Sequence, residues 1–237
     1  MSDVATVPLS GNGVCEIVRG IVGHDKALLS FSCGKDSWGA WLSARDDMDF
    51  QPYYLYRIPG LEFAEEYLGY AEKVFGKRVI RMPHPAFYRW INNATFQAPE
   101  RKKVIHAVGW PNFDYGDMNA AVIEDCGLPE NTWAANGIRA ADNPMRRAAL
   151  MKNKGINANK QQFYPCWDWN KERLIKELKH ANIKLPVDYI HFGRSFDGLD
   201  LRFLIKIRDN FPRDYQRILD WFPLADMEIA RYEFSKR

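Results

Sequence analysis

The sequence has few cysteines, and none of them is spaced like the ligands of a metal centre. The 237 residues include four cysteines, Cys15, Cys33, Cys126 and Cys166, and no two of them form a C-x-x-C pair. Such spacing argues against a structural zinc site, an iron–sulfur cluster and a disulfide framework. We therefore expect a protein of a reducing compartment that carries no iron–sulfur cluster.

Long apolar runs are also missing. No stretch reaches the roughly 18 consecutive apolar residues that a membrane-spanning helix needs. The N-terminal stretch MSDVATVPLSGNG lacks the basic segment and apolar core of a secretory signal. The sequence therefore predicts a cytoplasmic protein without a membrane partner.

The sequence has no strong excess of either charge. Its 33 Lys and Arg residues stand against 30 Asp and Glu residues, which gives a net charge of +3 and excludes a polycation of the histone kind. Hydrophobic residues make up 46% of the chain and aromatic residues 14%, enough for a buried core. With no internal repeat and no low-complexity linker, one compact domain is expected.

Apolar runs bounded by turn residues alternate with helical patterns over the first two thirds of the chain. Four such runs predict β-strands at residues 26–32, 52–58, 77–83 and 132–138. The spacing of apolar residues predicts helices at 36–45 and 62–75. This β-α-β-α order indicates the α/β class, with a mostly parallel, doubly wound sheet and helices on both faces.

After Pro165 the pattern becomes helical. Asn170 suits the N-cap of a helix over KERLIKELKHA, and two more helices are predicted around DLRFLIKIRDNF and RDYQRILDWF. We accordingly predict an α/β core over residues 1–165 and a helical C-terminal extension over residues 166–237. The extension is expected to pack on the core as part of one compact domain.

The loop between the first predicted strand and helix has the composition of an anion-binding loop. Its small, polar and charged residues are Ser30, Ser32, Cys33, Gly34, Lys35, Asp36 and Ser37. A loop that enters a helix at the carboxyl end of a strand offers N–H groups and a favourable dipole to an anion. Gly34 allows close backbone approach, Lys35 supplies positive charge, and Asp36 could hold Mg²⁺ or cap the helix. The loop is not a Walker A loop, because Leu29 stands where the first glycine of that motif belongs.

The loop sequence resembles the S-x-G-K-D-S motif of the PP-loop family, adenine nucleotide α-hydrolases that split ATP between its α and β phosphates. Its lysine points to the phosphoadenosine-phosphosulfate (PAPS) reductase branch. The stretch PGLEFAEEY is similar to the T-G-x-x-F-P-E-T segment of that branch, with matches at Gly60, Phe63 and Glu65.

Two later stretches carry the same resemblance. NGIRAADNPMRR is similar to the G-x-R-x-x-E-S-x-x-R segment of the branch, with matches at Gly137, Arg139 and Arg146, although Asp142 and Asn143 replace its Glu-Ser pair. YPCWDWNKERL is similar to a Pro-x-x-x-Trp run that opens a helix. The matching segments lie in the order that the branch requires and together cover about residues 26 to 200.

The resemblance implies an adenine nucleotide ligand, either ATP or a sulfonucleotide such as PAPS, together with Mg²⁺. It assigns catalytic roles to Lys35, Asp36, Arg139 and Arg146, and the metal to Asp36. The implied nucleotide-binding residues are Ser30, Ser32, Cys33, Gly34, Lys35, Asp36, Ser37, Gly60, Glu65, Gly137 and Arg139. Cys33 stands where the family has glycine.

The sequence departs from the reductases of the branch in its cysteines. Those enzymes carry a catalytic cysteine near the C-terminus, whereas no cysteine follows Cys166 here, and Leu199 stands where many members have another. We therefore expect cleavage of ATP to AMP and pyrophosphate, which activates an unidentified acceptor. Two alternatives remain open: a sulfonucleotide-using reductase or sulfotransferase that borrows a thiol, and a non-catalytic nucleotide- or nucleic-acid-binding regulatory protein.

A basic segment bears on the acceptor. Between Arg139 and Lys160 the only acidic residue is Asp142, and MKNKGINANKQQ has no apolar periodicity. This predicts a mobile basic loop over residues 146–160 that could close over ATP or bind a nucleic-acid acceptor. The sequence leaves the oligomeric state open, with a homodimer among the alternatives.

Overall fold

The computed structural model describes residues 11–236. Residues 1–10, which contain most of the N-terminal stretch considered above, and Arg237 lie outside the described residues. The strands are β1 Lys26–Ser30, β2 Asp49–Tyr56, β3 Ile80–Pro83, β4 Trp133–Ala135, β5 Ile156–Asn157 and β6 Gln162–Phe163. The α-helices are α1 Gly11–Val22, α2 Lys35–Leu42, α3 Glu62–Phe75, α4 Pro85–Asn92, α5 Pro99–Val108, α6 Tyr115–Asp125, α7 Pro144–Asn153, α8 Lys171–His180, α9 Asp188–His191, α10 Leu201–Asn210, α11 Pro212–Trp221 and α12 Asp226–Ser235. Short 3₁₀ turns lie at Ala140–Asp142, Ala158–Lys160 and Pro223–Ala225.

The strands form one sheet in the order β3-β2-β1-β4-β6-β5. β1 pairs in parallel with β2 on one side and with β4 on the other, and β4 pairs in parallel with β6. Only the short β5 runs antiparallel, against β6. Ala27, Leu28 and Leu29 in β1 are fully buried, as expected for a central parallel strand covered on both faces. The predicted α/β class is confirmed, and each predicted strand overlaps an observed one.

The chain divides into two compact units. The first unit comprises residues 11–53 and 119–184, and the second comprises residues 54–118 and 185–236. Each unit is thus built from two separate stretches of sequence, and the chain passes from one unit to the other three times. Neither unit begins or ends at residue 165, and the domain boundary predicted there stays a prediction.

In the first unit, α2 packs closely against α8. A Cβ atom added to Gly39 would lie 2.6 Å from Leu174 Cδ1 and 3.6 Å from Cys166 Sγ, so only a glycine fits between the two helices without a shift. The predicted N-cap of α8 is confirmed, since the Asn170 side chain accepts a hydrogen bond from the backbone N–H of Arg173 at 2.8 Å.

In the second unit, the C-terminal helices bury the apolar faces of α3 and α4. The core cluster includes Phe63 of α3, Phe87 of α4, Phe203 of α10 and Phe222, which follows α11. The N-terminus of α3 is capped from a distance in sequence, because the Asp214 carboxylate accepts hydrogen bonds from the first two backbone N–H groups of the helix. The predicted helix over residues 62–75 and the two predicted C-terminal helices are confirmed.

The prediction of an irregular loop over MKNKGINANKQQ is wrong. The first of these residues complete α7, and the rest form β5, a 3₁₀ turn and the start of β6. α7 ends at Asn153, and its C-cap Lys154 has a left-handed φ of 48°. Gly155, which follows with a φ of 75°, accepts a hydrogen bond at its carbonyl from Tyr164 N at 2.8 Å. Backbone hydrogen bonds to a distant strand, and not apolar periodicity, order this segment.

No helix within residues 11–236 combines the length and the apolar character that crossing a bilayer requires. The cytoplasmic location expected from the sequence stays a prediction.

Candidate functional site

The predicted anion-binding loop connects β1 to α2 in the first unit. Phe31 N donates to Tyr53 O at 2.9 Å, which holds the start of the loop beside Tyr53 of β2. Cys33 adopts a left-handed φ of 61°, a conformation that costs roughly 1–2 kcal/mol for a residue with a Cβ atom. Gly34 is the N-cap of α2, and no side chain caps the helix there. The first-turn N–H groups of α2 therefore lack a side-chain cap, as a helix N-terminus that binds an anion would.

Two serines of the loop have different surroundings. Ser37 is buried, and its hydroxyl donates to Gly34 O at 2.8 Å and accepts from Ser32 N at 3.3 Å. This pair of bonds fixes the turn that leads into α2. Ser32 itself is exposed, and Ser30 is the last residue of β1. The structure thus gives Ser37 a role in the shape of the loop and leaves the Ser32 side chain at the surface.

The chain after β4 lies directly against the start of α2. A Cβ atom added to Gly137 would lie 2.3 Å from the carbonyl oxygen of Asp36 and 2.7 Å from Ser37 N. These are backbone atoms that cannot rotate away, so this position accepts only glycine. The structure thus brings two of the predicted segments, the loop around Lys35 and the segment around Arg139, into contact.

Arg139 lies at the centre of this contact with its side chain only 4% exposed. Its Nε donates to Asp36 Oδ1 at 3.0 Å and its Nη2 donates to Asp142 Oδ1 at 2.7 Å. Lys35 Nζ contacts the other Asp36 oxygen at 2.7 Å. The four side chains carry two positive and two negative charges, so the cluster is formally neutral. We call Lys35, Asp36, Arg139 and Asp142 the charged cluster.

The charged cluster changes how two of the predicted residues are understood. The Arg139 guanidinium forms ion pairs with two carboxylates, one of which is that of Asp36. These contacts give Arg139 a role in orienting Asp36, and its contact with phosphate stays a prediction. The Asp36 side chain is 32% exposed and is accessible from solvent. Sequence reasoning missed Asp142 as a partner of Arg139, although its position three residues after Arg139 is a spacing at which ion pairs are common.

Arg146 lies outside the charged cluster. It belongs to the first turn of α7, whose N-cap Asn143 accepts from Met145 N at 2.7 Å. The Arg146 side chain is exposed, and within residues 11–236 it makes no hydrogen bond or ion pair. Its predicted catalytic role is not tested by these contacts.

Gly60 and Glu65 belong to the second unit. Gly60 has a left-handed φ of 70°, in the turn before α3. Glu65 lies on α3 and accepts a hydrogen bond from Arg81 Nε at 3.1 Å. Their predicted contacts with a nucleotide stay predictions.

Three of the four thiols are poor nucleophiles in this structure. Cys166 is fully buried, with Sγ 3.9 Å from Asp36 O, and burial raises its pKa to about 12. Burial likewise raises the pKa of Cys15 to about 12 and, to a smaller extent, that of Cys126. A thiol needs to lose its proton before it can attack, so these three thiols, which stay largely protonated at neutral pH, are weak nucleophiles.

The segment 167–169, beside Arg139, buries polar atoms that have no partner among the described residues. They are the indole nitrogens of Trp167 and Trp169 and one carboxylate oxygen of Asp168. The Trp169 carbonyl accepts from Arg139 Nη1 at 3.5 Å, which links the segment to the charged cluster. Unpaired buried polar atoms are uncommon in proteins and often mark functional regions or ordered water.

Comparisons with known proteins find similarity to solved structures but not to any family model or curated protein. No model of a protein family matches the sequence, and no curated protein matches it. Among solved structures, the chain is similar to an NH3-dependent NAD synthetase from Campylobacter jejuni in complex with nitrate. The two chains share 11% identity, the match covers 96% of this chain and 95% of the other, and the TM-score is 0.44. Strand order and pairing, and not this similarity, define the fold of the chain.

Proposed function

We propose that the protein binds ATP with Mg²⁺ at the loop between β1 and α2, and cleaves it to AMP and pyrophosphate to activate an acceptor. The observation that carries this proposal is the position of the loop. β1 is the central strand, with β2 on one side and β4 on the other, so the chain changes direction across the sheet at this strand. Ligands of doubly wound sheets bind at such a switch point, beyond the carboxyl ends of the strands.

The chemistry of the first turn of α2 supports a phosphate ligand. The helix N-terminus supplies uncapped N–H groups, and Lys35 supplies a flexible positive charge beside them. The loop also resembles the PP-loop motif in sequence. In this proposal, the N–H groups and Lys35 stabilise the negative charge that builds up on the departing pyrophosphate.

The neutrality of the charged cluster supports a role for a cation. Two positive and two negative side chains leave no net charge to offset a triphosphate. Within the described chain no group of three or more His, Cys, Asp or Glu residues could hold a metal on its own. Mg²⁺ is usually held by one or two carboxylates and completed by substrate phosphates, and Asp36 fits as such an anchor. A bound Mg²⁺ would stabilise the pyrophosphate leaving group, while Arg139 holds the Asp36 carboxylate in place.

The state of Cys166 argues against its use in thiol chemistry on a sulfonucleotide. Its Sγ lies 3.9 Å from Asp36 O, beside the loop that contains Cys33, and its raised pKa keeps it protonated. A reductase would need a thiolate at the sulfonucleotide. Experiment must distinguish the proposal from two alternatives. One is a sulfonucleotide-using enzyme that borrows a thiol, and the other is a non-catalytic nucleotide-binding protein.

A nucleic acid is the acceptor class that the surface charge favours. Five basic residues are exposed on α7 and the hairpin that follows it: Arg146, Arg147, Lys152, Lys154 and Lys160. Exposed lysines and arginines bind phosphates without sequence preference and release counterions on binding.

The test of the proposed reaction follows the fate of labelled phosphates. ATP labelled at the α or the γ phosphate is incubated with the protein, Mg²⁺ and RNA or cell extract as the source of acceptor. We expect labelled AMP or AMP adduct from the first label and pyrophosphate from the second. ADP as the main product would contradict the proposal, and tight ATP binding without any turnover would favour the non-catalytic alternative.

One pair of variants tests the position of the nucleotide site. Lys35→Ala should weaken ATP binding by roughly tenfold or more, because it removes a charge-assisted contact to phosphate. Lys26→Ala removes the same charge from the start of β1, where Lys26 pairs with Asp49 at 3.4 Å, and should leave ATP binding unchanged. Equal effects of the two variants would place the nucleotide elsewhere.

The acceptor is tested by salt dependence. A triple variant with Gln at Lys152, Lys154 and Lys160 should reduce the slope of log affinity for RNA against log salt by up to about 2–3. The control changes the exposed Lys171, Lys176 and Lys179 of α8 to Gln and should leave the slope as it is. If wild-type protein binds RNA without salt dependence, a nucleic-acid acceptor is ruled out.

A further inference from the structure

A second polar cluster lies in the second unit, where β2 ends. The backbone N–H of His84 donates to Tyr56 O, the last residue of β2, at 2.8 Å, and Arg57 follows directly in the chain. His84 is the N-cap of α4, which also carries Arg89. Tyr115, at the start of α6, places its hydroxyl 3.1 Å from His84 Nε2. Three separate segments therefore bring polar groups together at this strand end.

The hydrogen bonds of His84 determine which way its protons point. Ala86 N donates to His84 Nδ1 at 2.9 Å, so Nδ1 has no proton and Nε2 carries it. Nε2 therefore donates to the Tyr115 oxygen, and the Tyr115 hydroxyl proton is left to point to another acceptor. Tyr115 is 51% exposed, so that acceptor can come from solution.

The positive charge of this cluster is not matched by the surrounding protein. Within residues 11–236, neither the Arg57 nor the Arg89 side chain forms an ion pair or a hydrogen bond. Asp197 is the carboxylate whose field acts on Arg57, and it is already bound by Arg194. Burial lowers the pKa of Arg57, and burial together with the two arginines lowers the pKa of His84 to about 4. His84 is thus neutral at pH 7 and adds no charge of its own to the cluster.

We propose that Arg57, Arg89 and Tyr115 form a binding site for the phosphate or sulfate group of a small molecule. The polar groups of the cluster that are left to bind a ligand are donors, namely the two guanidinium groups and the Tyr115 hydroxyl. Such a set of donors suits an anion and excludes a cation. Two unpaired arginines match the double negative charge of a phosphate ester or a sulfate ion, and a guanidinium donates two parallel hydrogen bonds to such oxygens. This site lies within the second unit and does not rest on the proposed function of the loop after β1.

The experiment uses the full chain and three probes, inorganic phosphate, inorganic sulfate and phenyl phosphate. Binding is measured by calorimetry at pH 7 and by the NMR signal of the His84 ring, which a His84→Gln variant assigns. We expect a saturable shift of the His84 signal with at least one probe. Tighter binding of phenyl phosphate than of inorganic phosphate would identify a phosphate carried by a larger molecule, and equal binding would identify the free ion.

Two variants with the same charge change separate the site from general electrostatics. Arg57→Gln should weaken the binding by about tenfold or more, because one charge-assisted pair of hydrogen bonds is lost. Arg231→Gln removes an exposed arginine of α12 that pairs with Glu228, and should leave binding unchanged. If Arg57→Gln fails to fold, the exposed Arg89→Gln takes its place. The absence of a saturable His84 shift with all three probes, or equal binding by the Arg57→Gln and Arg231→Gln variants, would overturn the proposal.

Discussion

Arg139 in the first unit and Arg57 in the second unit both follow a strand of the sheet, but only Arg139 forms ion pairs within the described chain. Arg139 is almost fully buried and is held by the carboxylates of Asp36 and Asp142. Arg57 is partly buried and has no ion pair within the described chain. A buried cation paired by the protein is part of the framework, whereas an unpaired cation keeps its hydrogen bonds for a ligand.

Removing each arginine should show this difference most strongly. Arg139→Met keeps the apolar stem but leaves Asp142 without its cation and Asp36 with Lys35 alone, and should lower the free energy of unfolding by about 4 kcal/mol. Arg57→Met removes a charge whose burial is not compensated, and should change that free energy by less than about 1 kcal/mol. Urea unfolding followed by circular dichroism measures both.

The matched control for the first variant is Arg173→Met, which removes a half-exposed arginine of α8 in the same unit, 3.8 Å from Asp168. It should cost less than about 1 kcal/mol, as surface ion pairs usually do. A loss of stability in Arg57→Met as large as that in Arg139→Met would show that Arg57 also has a structural role.

The arginines also show which parts of the site could be predicted from sequence. The loop around Lys35 and the segment around Arg139 have local patterns, a polar run after an apolar strand, and the structure brings them together. The pairing of Arg139 with Asp36 is a contact between residues 103 positions apart, which no local pattern specifies. Arg57 was overlooked, although a lone cation at the end of the apolar run PYYLYRI was a visible signal.

The fold itself was predicted where apolar periodicity is strong, as in α3, and where a side-chain cap is visible, as at Asn170. It was missed at residues 151–162, where short strands are ordered by pairing with distant backbone and have no periodicity of their own. The cap of α3 by Asp214 could not be predicted either, because 152 residues separate donor and acceptor.

pH should have two opposing effects on the stability of the second unit, one from Asp188 and one from His84. Burial raises the pKa of Asp188 to about 6, so between pH 4 and 6 the folded form holds a proton that the unfolded form has lost. Stability from this group therefore falls as pH rises through that window, by an amount on the order of 3 kcal/mol. The lowered pKa of His84, about 4, acts the other way, because below pH 6.5 only the unfolded form takes up the proton.

Variants should separate these two effects. In Asp188→Asn the His84 effect remains, and stability should rise from pH 4 to 6.5 more steeply than in wild type. In His84→Gln the Asp188 effect remains, and stability should rise less or fall over the same range. Urea midpoints at half-unit pH steps measure the slopes, and identical slopes in both variants would contradict the assignment.

A smaller effect is expected from a single methyl group. Gly137→Ala places a Cβ atom against the Asp36 carbonyl and should destabilise the protein by about 2–3 kcal/mol. Gly69→Ala, in α3 of the second unit, is the control, because nothing lies within 4 Å of the added atom. That change should stabilise the helix by up to about 1 kcal/mol. If both variants were equally stable, the backbone contact that joins the two predicted segments would be disproved.

The smallest effect is expected at Cys33. Cys33→Gly relieves the cost of a left-handed φ, but it also adds freedom to the unfolded chain, so the expected gain is only about 0.5 kcal/mol. Ala94→Gly, with φ of 50° in the second unit, should give a gain of similar size. A loss of stability in Cys33→Gly alone would mean that the buried thiol contributes packing that exceeds the backbone cost.

The interleaving of the two units has a consequence for the nascent chain on the ribosome. The stretch 54–118 is synthesised long before residues 185–236, which complete the same unit. Until the last helices emerge, the apolar side chains of Ile58, Phe63 and Phe87 have no partners from α10, α11 and α12 to bury them. The second unit therefore folds only after residues 185–236 have left the ribosome, and incomplete chains that stop near residue 184 expose an apolar surface that chaperones recognise and that promotes aggregation.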